Sequence, residues 1–195
     1  MMNKNAEGKK SNKKSTSTLA IDQNVLGYIK REAEAEGVSI NSKINYVLKK
    51  YALFYKYTEL EQPVILPSKT FSFLLDETDE QKMLEEYKYI LLYLLPEALI
   101  RQNIPITFDN WVKYVFGSMV IYSGAVQAFE YYNDDEGLLC LVFRHKYGMK
   151  FSRLIDKAYT HALETLFGYH TICTLLPSSV VLKIRERNAA DIVNR

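Results

Sequence analysis

The residues best suited to chemistry in this chain gather in its last third. Arg144, His145, Lys146, Lys150 and Ser152 fall within nine positions, where a predicted strand gives way to a predicted helix. Unpaired amides at a helix start favour an anion, so His145, Lys150 and Ser152 form the candidate ligand-binding set, for a small anionic ligand. A structural turn with His145 bonded to backbone accounts for the same residues. Cys140, His145, His161, His170 and Cys173 are of the types zinc prefers, yet no Cys-x-x-Cys or His-x-x-x-His pair occurs, and no metal is expected. Asp134-Asp135-Glu136 lacks the alternating ligand spacing of a calcium loop and reads as a solvated turn ahead of Gly137. There is no Gly-x-Ser-x-Gly elbow, no Gly-rich phosphate loop and no Gly-x-Gly-x-x-Gly. No catalytic residue is assigned, no cofactor is expected and the chain reads as a non-enzyme.

The elements that must position these groups belong to a helical and antiparallel-sheet module over 67–187. Helical patterns run over Ser68–Leu75 and from Asp79 to about Asn103, with Pro96 expected to bend or end a helix. Asp109, preceded by Thr107, is the predicted cap of a helix reaching about Tyr122. A strand near Ala125–Tyr131 and a second from Leu138 to His145 flank the acidic turn as a hairpin. A helix over Met149–Phe167 ends at Gly168, and His170–Leu176 pairs with Val180–Arg187 around Pro177. Helices grouped before and between antiparallel strands give the α+β class.

Charge divides the chain differently from chemistry. Of 195 residues, 25 are Lys or Arg and 23 Asp or Glu, a net +2. Through Tyr57 there are eleven basic residues against five acidic ones, a net +6, and the remainder carries fourteen against eighteen, a net −4. One end suited to a polyanion and one that is not is the simplest reading. Residues 1–14 have little to bury and read as a disordered basic arm, with Lys13 and Lys14 nearest the folded part.

Ser15–Ile21 is β-branched and reads as a short strand, with Thr16, Thr18 and Ala20 on one face. Asp22 stands at a helix N-cap, followed by Val25, Leu26, Ile29 and Ala33 at helical spacing, and Gly37 fits a left-handed cap. Ser39 caps a second predicted helix carrying Ile40, Ile44, Val47, Leu48 and Tyr51, running to about Tyr57. One strand and two helices cannot bury a core alone, so a second copy is expected and a homodimer is implied.

Three segments, Thr18-Leu-Ala-Ile-Asp-Gln-Asn-Val-Leu, Glu34-Ala-Glu-Gly-Val-Ser-Ile-Asn-Ser and Ile44-Asn-Tyr-Val-Leu-Lys-Lys-Tyr, carry a resemblance. Residues 15–57 resemble the ribbon-helix-helix family of prokaryotic DNA-binding regulators. The resemblance implies a two-stranded ribbon, one strand per subunit, in the major groove of double-stranded DNA. It places Thr16, Thr18 and Ala20 on base edges. It also implies a phosphate clamp at the second helix start, on Ser39, Ile40 and Asn41, with Ser42 and Lys43 adding side chains. Ala20 and Ile40 depart from the family's more polar choices, so readout is expected to be modest and the lysine-rich arm to supply affinity. More loosely, the whole chain resembles regulators that join such a head to an α+β tail with His, Gly and Ser after a strand, here His145, Gly148 and Ser152.

The expected organisation is thus a basic arm at 1–14, a ribbon-helix-helix domain at 15–57, a hinge at 58–66, an α+β domain at 67–187 and a tail at 188–195. The expected function is sequence-specific transcriptional regulation by a homodimer, with the second domain sensing a ligand or extending the oligomer. The alternative is an antitoxin-like protein-interaction module whose acidic domain binds a partner protein. With 48% apolar residues but no sufficiently long charge-free apolar run, no membrane span is expected. Two Cys and no signal-like start make a cytoplasmic setting the expectation.

Overall fold

The computed structural model describes residues 18–56 and 65–186. The predicted arm, Lys13, Lys14, Thr16, most of the hinge and the tail after 187 lie outside the described residues. The chain separates into two compact units between Tyr46 and Val47. That division falls inside a helix and upstream of the expected hinge, because residues beyond it, Phe54 among them, pack on the core of the second unit.

In the first unit, α1 spans Gln23–Ala35 and α2 begins at Ile40, spanning Ile40–Lys50 and continuing as a π-helical turn over Tyr51–Tyr55. Asp22 caps α1, its carboxylate accepting from the amides of Asn24 at 2.8 Å and Val25 at 3.3 Å. Gly37 adopts φ +66°, the left-handed conformation a side chain resists, and Val38 N–H donates to the Ala33 carbonyl at 2.9 Å to close the end. The predicted strand fares differently: Thr18–Ile21 carries no strand ladder within the single chain.

The second unit is α+β, with helices packed on one four-stranded antiparallel sheet. Helix α3 is Ser68–Glu77. Helix α4 runs through Glu80–Tyr89, a π-helical stretch Ile90–Leu94 and Leu95–Arg101. Helix α5 joins Phe108–Asn110, π-helical Trp111–Val120 and Ile121–Ser123. Strands β1 (Ala128–Asn133) and β2 (Leu139–Arg144) precede α6 (Gly148–Phe167), and β3 (Tyr169–Leu176) and β4 (Ser179–Glu186) follow it. The sheet order is β1-β2-β4-β3. Leu141 pairs with Leu182 and Phe143 with Val180, so these four share the face that meets Phe151, Leu154, Ile155 and Ala158 of α6 in the core. Among the described residues, no helix is long and apolar enough to cross a membrane.

Three expectations change. Pro96 does not end α4: it sits in the first turn after the π-helical stretch, where the wider turn shifts the bonding partner of Leu95 N–H to the Ile90 carbonyl. Thr107, not Asp109, caps α5, its hydroxyl accepting from Asn110 N–H at 3.3 Å while Asp109 lies in the first turn. The run Gln62-Pro-Val-Ile-Leu-Pro-Ser, with a proline near each end, predicts a short strand at the hinge, but its described residues Ile65, Leu66 and Pro67 form none.

Helix α4 is fastened to α6 by charge. Glu80 accepts from Arg153 Nη2 at 2.8 Å and Nε at 3.1 Å, and from Lys157 Nζ at 3.1 Å. The Arg153 guanidinium first, and Lys157 second, hold the Glu80 carboxyl down at about 2. A carboxyl lowered by folding stabilises fully above its ordinary pKa near 4.5 and loses that contribution as pH falls toward 2. With the partners half exposed to solvent, the contribution is about 1 kcal/mol. Urea denaturation of wild type and Glu80→Gln should therefore differ at pH 6 and converge between pH 4.5 and 2; a difference constant across that range would show that the bridge contributes nothing.

Candidate functional site

The start of α2 gathers four of the five expected phosphate contacts. Ser39 accepts from Ser42 N–H at 3.1 Å, and the two hydroxyls are 2.8 Å apart. The first intrahelical bond runs from Lys43 N–H to the Ser39 carbonyl at 3.0 Å, which leaves the preceding amides of Ile40 and Asn41 among the unpaired donors of every helix start. Ser39, Ile40, Asn41 and Ser42 are all exposed, as are Thr18 and Ala20.

Lys43 is placed otherwise. Its side chain is 10% exposed, with Nζ 2.6 Å from Glu36 and 3.0 Å from Glu32. Those hydrogen bonds, Glu36 first, raise its pKa and hold it charged. The lysine therefore joins α2 to α1 instead of reaching outward, because position 43 lies on the side of α2 that faces α1, and it leaves the phosphate set.

His145 and Ser152 do come together, in the second unit. His145 Nδ1 accepts from Tyr147 N–H at 3.3 Å, which places the ring proton on Nε2. Nε2 then donates to Ser152 Oγ at 3.0 Å, and the Ser152 hydroxyl donates to the Leu176 carbonyl at 2.6 Å. His145 N–H also donates to the Ser178 carbonyl at 3.0 Å. Both side chains are buried, and burial lowers the His145 pKa, favouring the neutral ring. The pair bolts the end of β2 to α6 and to the β3–β4 turn. Lys150 is spent elsewhere, donating to the carbonyls of Thr78 at 2.6 Å and Asp76 at 2.9 Å at the end of α3. The three candidate residues thus share no open space, and their donors are satisfied within the fold.

No family model, curated protein or solved structure matches the chain.

Among the described residues, no group of three or more His, Cys, Asp or Glu is placed to hold a metal. Cys140 shares the sheet face of its partner Lys183, whereas Cys173, paired with Leu182, lies on the opposite, core-side face. The two thiols are separated by the sheet. Burial pushes both up, Cys173 to about 12, so neither is a ready thiolate. The acidic turn is closed on itself: Asp134 accepts from Leu138 N–H at 2.9 Å and Glu136 N–H at 3.0 Å, and from Lys183 Nζ at 2.7 Å.

A cavity of about 570 Å³ in the second unit is bounded by α3, α4, the end of α5 and α6. Leu91, Leu94, Ala98, Met119 and Phe71 give it apolar walls, and Tyr87, Tyr147 and Tyr159 also line it. Tyr159 is 3% exposed. Burial raises its pKa strongly and raises that of half-buried Tyr87 to about 12, so both keep their protons at neutral pH. Tyr147 reaches the Gly124 carbonyl only at 3.5 Å. Reading the sequence missed this site, because Tyr87 and Tyr159 continue the apolar stripes of α4 and α6 and are indistinguishable there from core aromatics. The signal present was compositional: fifteen tyrosines in one chain.

Proposed function

We propose that the chain is a homodimeric ribbon-helix-helix DNA-binding regulator. One observation carries this reading: in the first unit Ala33 is the one described apolar side chain that is buried, while Leu19, Val25, Tyr28 and Ile40 are exposed. A single copy leaves both helices with unfilled apolar faces, and a second copy is the simplest filling. The order of parts supports it: a segment with no ladder of its own before the Asp22 cap, a short Gly37 turn and a Ser39-capped second helix suit strands paired between copies. The exposed start of α2 would receive phosphate, and Thr16, Thr18 and Ala20 would face the bases. The second unit serves ligand sensing or wider oligomer contacts.

The reading is tested by separating positioning from readout. Lys13→Ala with Lys14→Ala should weaken binding on every duplex and reduce the salt slope by about 2, one per lost phosphate contact. Thr18→Ala should cost roughly fivefold on a selected site and little on random DNA. If both variants shift the selected and random duplexes alike, the strand is not in the groove.

A further inference from the structure

The tyrosine-lined cavity of the second unit is unused by the DNA-binding reading, and its chemistry is specific. Its volume of about 570 Å³ lies within the ~300–1,000 Å³ of sites that enclose metabolite-sized or drug-sized molecules. The space is walled by Phe71, Leu91, Leu94 and Met119 and is half open to solvent, so a molecule can reach it from outside.

Its polarity narrows the occupant. No Lys, Arg, His, Asp or Glu lines it among the described residues, so a carboxylate or ammonium would enter without a counter-charge. The hydroxyls of Tyr159 and Tyr87 make no hydrogen bond to any described residue, although Tyr159 is almost wholly buried. Neither hydroxyl is sealed in the core, so each is available to donate to a molecule that occupies the space. Water would satisfy the hydroxyls but would wet the apolar walls. An apolar molecule bearing a carbonyl or ether oxygen satisfies both.

We infer that this cavity binds a neutral, mainly hydrocarbon small molecule whose hydrogen-bond acceptor is held by the Tyr159 and Tyr87 hydroxyls. The molecule packs against Leu94 and Ala98. The inference gives the sensing role proposed for the second unit a ligand class and a site, and rests on that reading for nothing but the consequence of binding.

The test uses the full chain without DNA, so its failure leaves the DNA-binding reading untouched and the failure of that reading leaves it intact. Nile red, a neutral dye with a ring carbonyl, is titrated at pH 7.5 and then displaced with 2-undecanone or with undecanoate. Expected are a saturable signal of one dye per chain and displacement by the ketone at an at least about tenfold lower concentration than by the carboxylate. Tyr159→Phe, which keeps the ring, should weaken the ketone about fivefold, while Ala98→Phe and Leu94→Phe should fill the space and remove the signal. The inference falls if wild type gives no saturable signal, or if undecanoate competes as well as the ketone. It falls equally if Tyr159→Phe changes nothing, or if a filled variant with native circular dichroism still binds the dye.

Discussion

Phe143→Ala should lower the stability of the second unit by about 3–5 kcal/mol. The ring is fully buried on β2, its centroid 5.0 Å from each of Phe116, Phe129 and Tyr159. Truncation removes one member of a cluster joining α5, β1 and α6, and elements so different in direction cannot collapse together into the space. Against a typical total of roughly 5–15 kcal/mol, the loss is a third or more of the whole. Urea unfolding followed through Trp111, the chain's single tryptophan and itself in this core, should show a midpoint lower by roughly 2 M. Phe73→Ala, at an exposed position on α3, should move it by less than about 0.5 kcal/mol. Equal shifts would mean that the aromatic cluster does not hold the layers together.

Ile29→Asp combined with Ile44→Asp should abolish both dimerisation and DNA retention at protein concentrations near 50 µM. Both positions are only half-buried in one copy, where an aspartate costs little. In a symmetric dimer each would face the partner's apolar surface, and desolvating unpaired carboxylates there costs several kcal/mol. Sedimentation velocity supplies the first readout and filter retention of labelled duplex the second. A variant that stays dimeric and still retains DNA would place the dimer contact outside α1 and α2 and remove the main support for the regulator reading.

Much of the architecture was legible in the sequence because its boundaries rest on local chemistry. The Asp22 cap, the left-handed Gly37 and Gly168, the hairpin around Asp134 and the α6 stripe from Phe151 to Leu163 are set by a few neighbouring atoms, and they stand where the pattern placed them, within one to three residues. Side-chain destinations were less legible. Lys43 reads as a basic residue beside a phosphate site, yet two carboxylates a turn apart, one on α1 and one just past its end, capture it. His145, Lys150 and Ser152 are adjacent in sequence, but sequence proximity says nothing of the carbonyls of Asp76, Thr78 and Leu176, which engage Lys150 and Ser152 from 24 to 74 positions away. The cavity was invisible for the same reason, since it is an absence of packing among elements that only the fold brings together.

The π-helical stretches bear on which lengths of this chain are permissible. Each behaves as one residue too many in an α-helix, and Ile90–Leu94 lies between the Met83–Tyr87 half of α4 and the Leu95–Arg101 half. A version of the chain one residue shorter there would make a more regular helix, yet its downstream half would be turned by about 100°, carrying the buried Leu99 out of the interior and Arg101 toward it. The surplus residue is therefore a phase correction between two apolar stripes, and chain length at this point is as tightly specified as the composition of the core.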